Sequence, residues 1–417
     1  MPGHNEVESQ HEGDMLLPDG ALLLHIGPSK TGSTAIQIAF DQVRDQLGQY
    51  GVAYSTTFRR VLKPGWAVIG WAPPGHPVPD IGYWSRYCER VANMGGLRVC
   101  ASTEDFGQVQ NADVARTIVR GLGGDRVHIV SAARAYHRLL PSYWQEMVRT
   151  NFDTRTYEEW LHDVLDAAPA DGHGWAFTGS HNVTRTVPAW LSAVAPERYT
   201  LVVLGDEDRT LLPDVFEEML GLPSGMLRVG TGANSSLSFN AVEVLRRLNE
   251  IRGQKDWRLD YYEQLTRQGY VRGALDAPRS SLDRAIPELP EWSIEPLARL
   301  SAARVEEVKD LGVRVVGNVD DLLLPPVSAA DPEDLSPEQI SVEAVTSALS
   351  KMMDVALTKK LVSRTGPTGG RGKAQSQPKP PTLADWTGEE LIRELERRVK
   401  SRIGREAGRY SRRLRRR

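Results

Sequence analysis

Cysteine is nearly absent. Cys88 and Cys100 are the two in 417 residues, too few for a disulfide framework or a thiolate metal cluster. No apolar run approaches the roughly 20 residues a helix needs to cross a bilayer. The opening stretch MPGHNEVESQHEGDM has neither a basic start nor an apolar core, so no secretory leader is expected. Excess charge is lacking too: 51 Lys and Arg face 54 Asp and Glu, a net −3. A cytoplasmic protein without a nucleic-acid partner is expected.

What is present is ordinary globular material, 40% hydrophobic and 25% charged, enough for one large domain with appendages. The chain is organised around LLLHIGPSKTGSTAIQIAFDQVRDQLGQYGVAY, residues 22–54. Leu22 to Ile26 reads as a buried strand. Gly27 to Gly32 is a Gly/Pro/Ser loop. From Ser33, Ile36, Phe40, Val43 and Leu47 recur at helical spacing. Strand, glycine loop and helix N-terminus together aim backbone N–H groups and a positive dipole end at an anion. The spacing of Gly27 and Gly32 is that of a Walker A loop, which next requires Lys and then Ser or Thr. Here Ser33 and Thr34 follow, and the lysine sits earlier, at Lys30. A lysine inside the loop suits a point charge on a bridging oxygen.

His25-Ile26-Gly27-Pro28-Ser29-Lys30-Thr31-Gly32-Ser33-Thr34 resembles the 5′-phosphosulfate loop of sulfotransferases that use 3′-phosphoadenosine 5′-phosphosulfate (PAPS). That family's second signature is an arginine ending a later strand, with a serine eight positions on. RVHIVSAAR ends in Arg134, and Ser142 follows within HRLLPSYWQEMVR. The usual Arg-Asp-Pro triplet is replaced by Arg134-Ala135-Tyr136. The Ala-Arg, Leu-Pro and Trp-Gln-Glu elements here resemble a set of bacterial sulfotransferase-like proteins. The resemblance covers about residues 21–325 and implies several roles. Gly27, Lys30, Thr31, Gly32, Ser33 and Thr34 would hold the 5′ end of PAPS, and Arg134 and Ser142 its 3′-phosphate. Asn234, in an Asn-x-Ser-Leu-like segment, would contact the 3′-phosphate end or simply cap the next helix. Glu104, after the strand LRVCAS, would be the general base, with Lys30 stabilising the leaving phosphate oxygen. Glu146 is a second candidate base. Glu104 or Asp105 has an alternative role as a helix cap near Val114.

Other stretches are less specific. VLKPGWAVIGWAPPGHPVPD, residues 61–80, is too rich in Pro and Gly for regular structure; its Trp66 and Trp71 would line an acceptor cleft or pack the loop. Asp206-Glu207-Asp208 has no histidine nearby to complete a metal site, and no metal is expected. The aromatic and arginine residues of 253–290 suit an acceptor face or an oligomer contact.

The fold class expected is α/β: a three-layer α/β/α P-loop-type, mainly parallel sheet of about five strands, with a helical C-terminal extension. The divisions expected are a flexible start at 1–18, a sulfotransferase-like domain at 19–325, a helical extension at 326–362, a linker at 363–382 and a basic amphipathic helix at 383–417. Residues 389–417 hold twelve Arg and Lys against five Glu, a net +7, leaving −10 for the rest of a chain at −3. With Leu391, Leu395, Val399 and Ile403 on one stripe, that helix suits an anionic membrane surface or an acidic polymer. A peripheral position at an inner membrane face is therefore compatible with the cytoplasmic expectation.

The reaction implied is sulfuryl transfer from PAPS to a hydroxyl or amine of a carbohydrate, glycolipid or secondary metabolite, so the partner expected is a glycan or lipid-linked acceptor. Two alternatives stand beside it: a P-loop nucleotide kinase-like enzyme, and a non-catalytic nucleotide-binding protein.

Overall fold

The computed structural model describes residues 15–168, 181, 183–206, 208–229, 236–255, 257–278, 280–286, 289–327, 329 and 341–358. All fall in the first of two compact units into which the chain divides, residues 1–362. The expected linker and basic helix lie outside the described residues.

Six strands form one sheet: β1 (Leu22–His25), β2 (Val52–Tyr54), β3 (Arg98–Ser102), β4 (Val127–Arg134), β5 (Tyr199–Leu204) and β6 (Arg314–Val316). Their order is β2-β3-β1-β4-β5-β6, and every pairing is parallel. The sheet is thus one strand larger than expected and wholly parallel. The helices are α1 (Ser33–Val43), α2 (Lys63–Ile69), α3 (Gly82–Ala92), α4 (Ala112–Gly121), α5 (Tyr136–Thr150), α6 (Tyr157–Asp166), α7 (Val183–Leu191), α8 (Leu211–Leu220), α9 (Phe239–Gln254), α10 (Leu259–Glu263), α11 (Val271–Asp276), α12 (Glu291–Lys309) and α13 (Val342–Thr358).

Alternate residues of each strand point to opposite faces, so an apolar run such as LLLHI needs cover on both. Leu22, Leu24 and Ile26 pack with Val99, Ile129 and Leu201 under Trp84 of α3, Ile118 of α4 and Trp190 of α7. Leu23 packs with Cys100, Val130 and Val202 under Phe40 of α1 and Phe216 of α8. Helices therefore cover both faces, compatible with a three-layer α/β/α arrangement. A third cluster lies away from the sheet, mostly among helices: Trp144, Tyr157, Phe239, Leu245, Tyr270, Leu297 and Ala348 come together from α5, α6, α9, α12, α13 and the turns around α11.

Several expectations need correction. Residues 61–80 do hold regular structure, because Pro64 sits in the first turn of α2, where a missing N–H costs nothing. Gly70 then ends that helix at φ 67°. The cap of α4 is Asn111, whose side chain accepts from Asp113 N at 2.8 Å, and neither Glu104 nor Asp105. The cap of α9 is Ser238, accepting from Ala241 N at 3.3 Å; a cap must directly precede the first helical residue, which Asn234 does not. In 253–290, Tyr262 and Tyr270 are buried, and the Tyr270 hydroxyl donates to Ala241 O at 2.8 Å. On α13 the inward face is Ala344, Ala348 and Ala356, while Val342, Leu349, Met353 and Leu357 are exposed.

That small-residue face fits a tight seam. A Cβ on Gly273 would lie 2.5 Å from Ser347 O and 2.6 Å from Ala348 Cα, and one on Gly269 2.8 Å from Met352 Cα. Gly273→Val should therefore destabilise the chain by about 1–3 kcal/mol through overpacking. An unchanged denaturant midpoint would show that α13 is not docked on this seam.

Candidate functional site

The connections from β1 and β3, neighbours in the sheet, leave on opposite faces. α1 follows β1 on the Phe40 side, and α4 follows β3 on the Ile118 side. In open α/β sheets such a divergence puts the ligand crevice beyond the carboxyl ends of the two strands. The 27–32 loop opens onto it from β1, Glu104 from β3, and Arg134 from the adjoining β4.

The loop is held from both sides. Ala132 N donates to Gly27 O at 2.8 Å. A Cβ on Gly27, at φ 83°, would lie 2.8 Å from Glu104 Cα, so glycine alone allows the strand ends to close up. The Thr31 and Ser33 hydroxyls both donate to Pro28 O, at 2.7 and 2.9 Å. Both side chains are buried and brace the loop from within, whereas Thr34 is exposed. Gly32, at φ 88°, starts α1, and Ile36 N is the first helical donor to find a carbonyl, Gly32 O at 3.2 Å. The earlier N–H groups are the orphan donors of a helix start.

Lys30 is the unusual member. Its φ is 68°, a left-handed conformation that costs a non-glycine residue about 1–2 kcal/mol. It is half-buried, and its Nζ lies 2.8 Å from Glu146 Oε2. Burial alone would raise the Glu146 carboxyl, but Lys30 and then Arg149 outweigh it and hold it at about 2. Arg138, Ser142, Glu146 and Arg149 share one face of α5 by their spacing of four, four and three. The Lys30–Glu146 pair therefore brings the Ser142 face toward the loop.

Glu104 is 17% exposed. Its Oε1 pairs with Arg60, and its Oε2 accepts from Gln37 Nε2 at 2.8 Å. Gln37, one turn into α1, also reaches Ser102 Oγ at 3.1 Å, and that hydroxyl lies 2.9 Å from His25 Nδ1. Burial pushes His25 down to about 4, so a neutral imidazole underlies the crevice. Asp105 turns away: it accepts from Trp66 Nε1 at 2.8 Å, and burial raises its carboxyl. Trp66 is thereby a packing residue, 7% exposed, whereas Trp71 is exposed.

Arg134 is half-buried, and burial lowers its guanidinium, with Asp206 opposing and Arg138 and Arg209 adding to the effect. Asp206 is bound by Arg138 at 2.9 Å. Among the described residues Arg134 has no ion-pair partner, which leaves a cation at the strand end able to take an anion. Its backbone O is fixed by Arg304 at 2.8 Å. Asn234 lies outside the described residues, and no group of metal-ligating side chains occurs among them.

Sequence reasoning missed Arg60 and Gln37, which grip Glu104. Gln37 lies on the helix after the loop, one turn past Ser33, where its spacing carries a detectable signal. Arg60 carries none, being an arginine in an irregular stretch.

The Glu146 pair fixes a pH dependence. A carboxyl held below its unfolded value stabilises the fold above about pH 4.5, and the contribution is lost as pH falls toward 2. It is on the order of 2–3 kcal/mol. Urea unfolding of Glu146→Gln should be less pH-dependent than wild type between pH 5 and 2.5; parallel curves would mean that the pair is not made. Comparison with family models, curated proteins and solved structures finds no match for this chain.

Proposed function

We propose that this chain is a PAPS-dependent sulfotransferase with a P-loop-type sheet, acting on a hydroxyl or amine of a carbohydrate, glycolipid or secondary-metabolite acceptor. The observation that carries the reading is a convergence. Residues from three separate segments, the Lys30 loop, Glu104 and Arg134, stand at the carboxyl ends of the neighbouring strands β1, β3 and β4. The fit to an anionic nucleotide is chemical. Arg134 is a half-buried arginine without an ion-pair partner among the described residues, and the glycine loop adds the N–H groups of a helix start and a strained lysine.

When bound, PAPS supplies the sulfuryl group for an in-line displacement by the acceptor oxygen or nitrogen. The residues of this chain divide the remaining work. Glu104, gripped by Arg60 and Gln37, keeps lone pairs free to take the acceptor proton. Lys30 places positive charge where negative charge grows on the departing phosphate oxygen. Glu146 shares Lys30, so anion binding at the loop competes with that carboxylate. Arg134 and Ser142 would hold the 3′-phosphate, and the N–H groups at the start of α1 the 5′ end.

Two measurements test this. Lys30→Ala should abolish sulfuryl transfer across an acceptor panel while leaving the fold intact; wild-type turnover by that variant would sink the assignment. Arg134→Ala should weaken binding of 3′-phosphoadenosine 5′-phosphate by about tenfold or more, with little effect on its 3′-dephosphorylated analogue. Equal losses for both nucleotides would put Arg134 elsewhere.

A further inference from the structure

A cavity of about 440 Å³ opens at the opposite, amino-terminal ends of the strands, where β1, β4, β5 and β6 begin. Its lining includes Ala21 before β1, Arg126 and His128 at the start of β4, Arg198 before β5 and Arg314 at the head of β6. Those strands are consecutive in the sheet, so three arginines far apart in sequence are brought to one place. β4 runs eight residues to Arg134, which separates this cavity from the Lys30 crevice by roughly 26 Å.

The lining holds three arginines against three carboxylates, Asp19, Asp125 and Glu197, but two of the carboxylates are engaged in ion pairs. Arg198 is taken by Asp125 at 3.1 Å, and Asp19 by Arg98 at 2.8 Å. Glu197 lines the cavity too, yet among the described residues neither Arg126 nor Arg314 has an ion-pair partner. The Nε and Nη2 of Arg126 are buried and have no hydrogen-bond partner among the described residues. Buried donors of a charged group are rarely left without an acceptor. His128 lies beside the same arginines. It is buried against Thr200 Oγ1 at 2.9 Å, and burial first, then Arg314 and Arg198, push it down to about 4. Residues 15–18 (MLLP) add an apolar part to the lining.

We propose that this cavity binds a small organic oxyanion, with a carboxylate or phosphate head on Arg126 and Arg314 and a compact apolar body against residues 16–18. A guanidinium fork matches two oxygens of such a head, and the volume suits a small ligand with an apolar body.

Calorimetric titration of the full chain with phenyl phosphate and with benzoate tests the site. The expected result is one-to-one binding of at least one probe that survives Lys30→Ala and is weakened about tenfold or more by Arg126→Met or Arg314→Met. The tighter probe names the head group. The proposal is overturned if neither probe binds, if the double arginine variant binds like wild type, or if Lys30→Ala alone removes binding. Should the arginine variants fail to fold, the wild-type chain decides. The His128 ring signal, assigned by its loss in His128→Gln, must shift on saturation with the tighter probe; an unmoved signal rejects the site.

Discussion

A central parallel strand has to be covered on both faces, and β1 is that strand here. Its residues alternate between the Trp84–Trp190 side and the Phe40–Phe216 side. Because α1 takes one side and α4 the other, the chain parts where β1 and β3 end, and a crevice follows from the winding. The close approach of Gly27 to Glu104 depends on the same constraint, since those residues terminate neighbouring strands.

The electrostatics of the crevice build on that frame. Lys30 in its left-handed conformation is stabilised by Glu146, which stands on a helix rooted in the third, mostly helical cluster. The helical cluster thus shapes the crevice: moving α5 would move the carboxylate that fixes the loop lysine. Glu104 is gripped from α1 and from residue 60, segments that meet because α1 and the loop after β2 lie over the same strand ends. No described helix is long and apolar enough to cross a membrane.

Much of the strand content was legible, because runs such as LLLHI, RVHIVSAAR and YTLVVL are apolar on both faces, as buried parallel strands must be. Misreadings came where composition and context disagree. Residues 61–80 look like a loop from their prolines and glycines, yet Pro64 and Gly70 occupy the two helix positions that tolerate them. On α13 the buried positions are alanines, and Gly273 and Gly269 let the helix approach closely at Ala348 and Met352.

By itself the sequence determined the strand–loop–helix unit at 22–43, the displaced lysine, and the acidic and basic residues that close β3 and β4. Those are local facts, fixed by side-chain period and by glycine's access to positive φ. Only the tertiary structure decided that Lys30 meets Glu146, that Arg60 and Gln37 hold Glu104 while Asp105 turns to Trp66, and that Arg126, Arg198 and Arg314 gather at one cavity. Each of these joins residues on separate elements, many of them far apart in the chain. Their meeting is set by strand order and by which face each helix covers, which no local pattern encodes.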